Sequence, residues 1–231
     1  MEEQSLALSF GNSLTEEVSG ITGEYVELGL DALMEDGLFK DIPIVSTAVT
    51  VYRIGKSVRE KHHIAKLISF INEINKGIAN EEKRQNYRKK FTSNEKFRNH
   101  ELEYILILID RYISYDKPQM LAKLYLAYLD GDIVWEEFTM YAEVIDRLLL
   151  QDCCTLVSEA ITFRTLRDSS ADVILRLVAL GLLVEDKSIT VSEARKVIKG
   201  ESKSASKMSS DSKKKKYRRT DFGRKLADIL R

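Results

Sequence analysis

Apolar residues in this chain recur at helical spacing and almost nowhere at strand spacing. Ile64, Leu67, Ile68, Ile71 and Ile74 fall at i, i+3, i+4, i+7 and i+10, one face of a helix. The same period runs through Leu102, Ile105, Leu106, Ile109 and Ile113, then Leu121, Leu124, Tyr125 and Tyr128, then Phe138, Tyr141, Ala142, Ile145, Leu148 and Leu149. Up to about Ile161 no alternating run long enough for a useful strand interrupts it. Two prolines and eleven glycines leave few chain breaks, which disfavours a strand-rich fold with many turns. A mainly α chain is expected, with the helix through Leu102 and Ile113 at the centre of its core.

Local signals divide these periods into elements. Leu6, Leu8, Phe10 and Leu14 outline a first, weak helix, and Tyr25, Val26, Leu28, Leu33 and Met34 a second that ends at Gly37. Pro43 restarts the chain, because the residue before a proline is biased away from helix. Ile44 to Val58 reads as a helix running into the Ile64–Ile74 face and closing at Lys76-Gly77. Residues 80–91 form a charged helix with few apolar positions, expected to be solvated. Thr92 with Glu95 reads as a capping box that opens the next helix. Asp116-Lys117-Pro118 starts another, since proline is tolerated in a first turn, and Asp130-Gly131-Asp132 stops it. Beyond Ser169, an apolar helix closes on Gly181-Leu182-Leu183. Thr190 with Glu193 forms a further capping box before a short helix to Gly200. Residues 200–216 are rich in Ser and Lys and read as a flexible basic insertion. Tyr217-Arg218-Arg219 can pair as a short strand, and Asp221 to Leu230 forms a last helix. The expected division is a helical domain over 1–132, its first 22 residues mobile, and a second domain over 133–231.

The charge is balanced in total, 36 basic against 36 acidic residues, but not along the chain. Residues 1–58 carry 3 basic and 10 acidic side chains, and 59–100 carry 11 and 5, with all three histidines. Residues 101–198 carry 10 and 17, and 199–231 carry 12 and 4. Alternating blocks of this kind are made for partners or for contacts between blocks.

Candidate chemistry is sparse. Asp130-Gly131-Asp132 through Glu137 matches the later part of an EF-hand loop, but the first and third ligand positions would be Leu126 and Tyr128, which cannot hold calcium. His62 and His63 are adjacent and so point about 100° apart on a helix, unlike zinc-binding histidines spaced at i and i+4. Cys153 lies next to Cys154 with no histidine within fifty residues, which leaves a buried, inert thiol rather than a nucleophile. Walker, G-x-G-x-x-G, H-E-x-x-H and G-x-S-x-G signatures do not occur. No enzyme activity, cofactor or metal is expected. Two cysteines, an acidic N-terminus and no apolar run of about 18 residues together point to a cytoplasmic setting.

Leu177-Val178-Ala179-Leu180-Gly181-Leu182-Leu183, followed by Tyr217-Arg218-Arg219-Thr220-Asp221-Phe222-Gly223-Arg224-Lys225-Leu226, resembles the closing half of a winged-helix domain. In that family a helix ends in L-x-x-L-G-L, a β-wing follows, and the chain returns through Y-x-x-T-x-x-G-x-x-L into a final helix. The resemblance covers about 135–231. It implies a mainly α chain whose helical N-terminal domain precedes a winged-helix-like domain with a small β-wing. It makes 169–180 the recognition helix and 184–219 the wing. Left-handed backbone at Gly181, a Thr220 cap and close packing at Gly223 are the physical content of the motif. The recognition helix offers only Ser169, Ser170, Asp172 and Arg176 as polar groups, too few for base readout. Lys213, Lys214, Lys215, Lys216, Arg218 and Arg219 can instead neutralise phosphates without reading sequence. The expected function is that of a non-enzymatic regulatory or adaptor protein with weakly sequence-specific nucleic-acid binding, and with a protein partner or self-association through the helical part. The alternatives are a protein-interaction scaffold that does not bind nucleic acid, and a membrane-surface or membrane-active effector acting through apolar region 24–58.

Overall fold

The computed structural model describes residues 6–15, 42–50, 57–93, 95–158, 164–165, 171–185 and 216–231. The described chain is mainly helical with one small antiparallel sheet. It divides into two compact units, Met1–Arg147 and Leu148–Arg231. The helix Trp135–Arg147 packs against the helix before it and so belongs to the first unit, which moves the division from 132/133 to 147/148. The expected helix over 25–37 and the capping box at Thr190 and Glu193, with its helix to Gly200, lie outside the described residues. So does the insertion 200–216, apart from Lys216.

The first unit contains α1 (Leu6–Thr15), α2 (Pro43–Thr50), α3 (Val58–Gly77), α4 (Glu81–Ser93), α5 (Glu95–Arg111), α6 (Asp116–Asp130) and α7 (Trp135–Arg147). Within the segment expected to be mobile, α1 is core: Ala7, Phe10 and Leu14 are buried, and Phe10 lies 5.6 Å from Phe70. Ser9 and Ser13 are buried too. The Ser9 hydroxyl pairs with that of Thr47 at 2.8 Å, and Ile44 N donates to Ser13 Oγ at 2.9 Å, so α1 and α2 are joined by polar contacts inside the core.

The continuous helix expected from Ile44 past Val58 is interrupted. Ser57 is an N-cap: Glu60 N donates to Ser57 Oγ, and Ser57 N donates to Glu60 Oε2, a capping box that opens α3. The apolar face Ile64, Leu67, Ile68, Ile71 and Ile74 is buried as its spacing requires. It packs on α6, whose Leu121, Leu124 and Tyr125 are also buried. Aromatic contacts continue from Phe70 through Tyr125 to Phe138 and Trp135. The core is thus centred on α3 and α6 rather than on α5 alone. Thr92 lies in the last turn of α4, not at the start of α5. Ile113 follows the end of α5 and is 87% exposed, although its spacing continues the buried face.

The basic block 59–100 is put to internal use. A helix C-terminus exposes unpaired carbonyls and a partial negative charge, which a cation can satisfy. Helix α4 supplies four such cations. Arg84 and Arg88 donate to Thr15 O at the end of α1, Lys83 to Gly77 O at the end of α3, and Lys90 to Leu129 O in the last turn of α6. Lys83 and Tyr87 also hold the Asp130 carboxylate. Burial and the bond to Asp130 push the Tyr87 hydroxyl pKa well above its ordinary value. The helix expected to be solvated is therefore packed, with Arg84 and Tyr87 buried.

A second capping system serves α5. The polar stripe His62, Lys66 and Ser69 on α3 sits at i, i+4 and i+7, beside the turn 112–115. Lys66 Nζ donates to Asp110 O at 2.8 Å and Tyr112 O at 2.7 Å. His62 Nε2 meets Ile113 O at 2.8 Å, its Nδ1 meets the Tyr115 hydroxyl at 2.7 Å, and Ser69 Oγ donates to Tyr115 O. A carbonyl only accepts, so His62 carries its proton on Nε2. His63 Nδ1 lies 3.2 Å from Asp110 Oδ1. His62 is thus hydrogen-bonded within the fold, whereas His63 Nδ1 is buried beside the Asp110 carboxylate without a hydrogen bond.

The EF-hand-like turn also resolves into helix ends. Gly131 has φ 88° and closes α6, and Glu137 Oε2 accepts from Val134 N ahead of α7. Among the described residues no group of three His, Cys, Asp or Glu side chains could hold a metal ion.

Candidate nucleic-acid interface

The second unit contains α8 (Leu150–Val157), β1 (Arg164–Thr165), α9 (Ala171–Ala179), β2 (Leu183–Glu185), β3 (Lys216–Arg219) and α10 (Asp221–Leu230). Alternation of the apolar residues Ile174 and Leu177 with exposed Asp172 and Leu175 fixes which side of α9 is buried. Gly181, at φ 73°, turns the chain out of α9 in the left-handed region that a side chain would disfavour. The chain enters β2, which pairs antiparallel with β3 in the register Leu183 with Arg219, Val184 with Arg218 and Glu185 with Tyr217. On its other edge β3 pairs with β1, Arg164 with Tyr217 and Thr165 with Lys216. Strand β3 is therefore central in the order β1-β3-β2.

The return from β3 into α10 is held by contacts of Tyr217, Thr220, Gly223 and Leu226. Tyr217 and Leu226 are buried. Thr220 Oγ1 accepts from Gly223 N at 2.8 Å and donates to Gly181 O at 2.7 Å, so one hydroxyl ties the start of α10 to the turn after α9. Gly223 packs directly on backbone: a Cβ there would stand 2.1 Å from Leu182 O.

The candidate phosphate-binding residues part company in this frame. Arg218 is exposed on β3, and Lys216 begins that strand. Lys213, Lys214 and Lys215, like Ser169 and Ser170, lie outside the described residues. Arg219 turns inward, its Nε donating to Leu156 O at 2.8 Å and its Nη2 to Ser158 O. It caps the end of α8 as the α4 cations cap helices in the first unit, and Arg231 reaches Val157 O beside it. Arg176 is bound to Asp152, Nε to Oδ2 at 2.6 Å and Nη2 to Oδ1 at 2.8 Å. That bond raises the Arg176 pKa above its already high ordinary value.

Sequence reasoning missed Asp152, a carboxylate on a short helix whose partner lies 24 residues away. It also missed the outward side of α9, where Asp172, Leu175 and Ala179 are exposed and none can donate to a base edge. Cys153 is half-buried rather than buried, Cys154 is exposed, and neither is in a disulfide. Among the described residues no helix is long and apolar enough to cross a membrane. No protein-family model matches the chain, and no curated protein or solved structure matches it.

Proposed function

We propose that this chain is a non-enzymatic adaptor that contacts nucleic acid through phosphates, by a basic wing on a winged-helix-like second unit. The observation that supports this most is the placement of Lys216 and Arg218 on a central strand whose register is set on both edges. Lys216, the last residue of the run Lys213 to Lys216, is the first residue of that strand. The Gly181 turn, the antiparallel pairing of β2 with β3 and the Thr220 cap agree with the resemblance that implies a wing. Arg176 and Arg219 are occupied by Asp152 and by α8 carbonyls, which leaves phosphate contact without base readout.

The test is duplex binding measured across salt concentrations. The log of affinity should fall linearly with the log of salt, at a slope of about 0.9 per phosphate met. Changing Lys213, Lys214, Lys215 and Lys216 to Ser should remove most of the affinity, and Arg218→Ala should lower the slope by about one. Absence of binding at about 50 mM salt would overturn the reading. The exposed side of α9, with Leu175 57% exposed beside Asp172, favours a second reading, a protein-contact module. That reading predicts a Leu175→Ser variant that folds normally and loses a partner or self-association while duplex binding is unchanged.

A further inference from the structure

We propose that the groove between the first turn of α3 and the last turns of α5 is a binding site for a small uncharged molecule with an aliphatic tail and an amide head. The groove holds about 560 Å³, a volume within the range that small-molecule sites use. Its apolar wall is Leu106 and Ile107, and Ile107 is 60% exposed. Its polar wall is Arg59 and His63 of α3 with Asp110 of α5. An apolar surface with a few convergent polar groups is the usual make-up of a ligand site. Ile42, Ile44 and Val45 of the apolar region 24–58 are buried in the core and take no part.

Asp110 is the group that selects the head. Its Oδ1 stands 3.2 Å from His63 Nδ1, yet that nitrogen is buried without a hydrogen bond. Its Oδ2 faces Arg59 Nη2 at 3.7 Å, beyond hydrogen-bond distance. Burial lowers the His63 pKa, so the ring is neutral near pH 7 and leaves the carboxylate uncompensated on that side. An amide supplies what both neighbours lack: its N–H donates to Asp110 while its C=O accepts from Arg59.

The charge of the lining calls for a neutral head. Arg59 and Arg111 are matched within the groove by Glu60 and Asp110, and Arg111 is also paired with Asp146. A charged head would meet a like charge beside each opposite one. The walls are also preformed. The Ser57–Glu60 capping box holds the start of α3, and Lys66 Nζ fixes Asp110 O at 2.8 Å. Little order has to be gained on binding, which favours even a small ligand.

The experiment is an NMR titration of the full chain with hexanamide, read at the His63 ring resonances and assigned through His63→Gln. A saturable shift with a Kd of about 1 mM is expected for a ligand of this size. Acetamide keeps the head without the tail and should bind at least about tenfold more weakly. Hexanoate and hexylammonium keep the tail with a charge and should also bind at least about tenfold more weakly. Ile107→Asp, at an exposed position, should remove the saturable shift while helical circular dichroism and melting midpoint are kept. Asp110→Ala should weaken hexanamide binding about tenfold. Absence of a saturable shift up to about 20 mM hexanamide overturns the proposal. So does equal binding of acetamide, which would leave the tail unused, or of either charged probe, which would leave the head unselected. Unchanged hexanamide binding in Ile107→Asp overturns it as well. None of these outcomes bears on duplex binding, which is assigned to the other unit.

Discussion

Arg176 clasps a carboxylate, Asp152, that is 1% exposed, while its own side chain remains 37% exposed. The arginine is therefore the stopper of a buried charge and not a free cation on a reading surface. Removing a partner from a buried ion pair leaves the remaining charge without compensation, which is worse than never having had the pair. Arg176→Ala should lower the unfolding midpoint of the second unit by about 5 °C or more. The double variant Arg176→Leu with Asp152→Leu should recover much of that loss. Neither should change the salt slope of duplex binding once the protein is folded. A lowered slope for Arg176→Ala would return this residue to the phosphate interface.

Lys66 makes the same point inside the first unit. Its side chain is 3% exposed, and its ammonium closes two carbonyls at the end of α5. Burial pushes its pKa below the ordinary lysine value, against the pull of Asp110. Lys66→Met keeps the length but orphans both acceptors, so it should destabilise the unit by about 3 kcal/mol in urea unfolding. Lys76→Met, at an exposed pair with Glu73, should change stability by about 0.5 kcal/mol or less.

His63 gives the fold a predictable response to acid. Burial lowers its pKa from 6.5; Asp110 opposes that shift, while Lys66, Arg59 and His62 add to it. The unfolded chain therefore binds the proton first as pH falls through 6.5 toward the lower folded value. Stability contributed by neutral His63 is present above that window and lost within it. Between about pH 7.5 and about pH 5.5, the urea midpoint of the natural chain should fall more than that of His63→Gln. Parallel pH curves for the two proteins would show that His63 does not carry the effect.

Local motifs were legible in the sequence and long-range polar contacts were not. Thr220 could be assigned because a cap acts within a few residues of its own position; Gly223 was singled out only by the resemblance, since the backbone it packs on, Leu182, is far away in sequence. Gly131 was legible for the same reason as Thr220. The Ser57–Glu60 box was equally local, yet the β-branched run before it masked the break. Helix α4 was misjudged because composition counts its charges without showing that the acceptors are carbonyls of α1, α3 and α6. Ile113 fits the apolar period of α5, but the helix ends at Arg111, so the period no longer describes where its side chain goes. In Arg176 the residue type was correctly noticed, and only the fold reveals that Asp152 already binds it.

The glycines of this chain separate two physical demands that a sequence writes with one letter. Gly223 has an ordinary backbone but no room: a methyl group would lie 2.1 Å from Leu182 O, and backbone cannot swing aside as a side chain can. Gly131 has room, with nothing within 4 Å of a Cβ, but stands at φ 88°. Alanine at Gly131 should therefore cost about 1 kcal/mol, the usual penalty of left-handed backbone for a side-chain-bearing residue. Alanine at Gly223 must separate α10 from the turn that follows α9, breaking the Thr220 bond to Gly181 O, and should cost about 3 kcal/mol or more. Urea unfolding of the two variants checks the order. If Gly223→Ala proved as mild as Gly131→Ala, the close packing of α10 on Leu182 would not be what holds the second unit together.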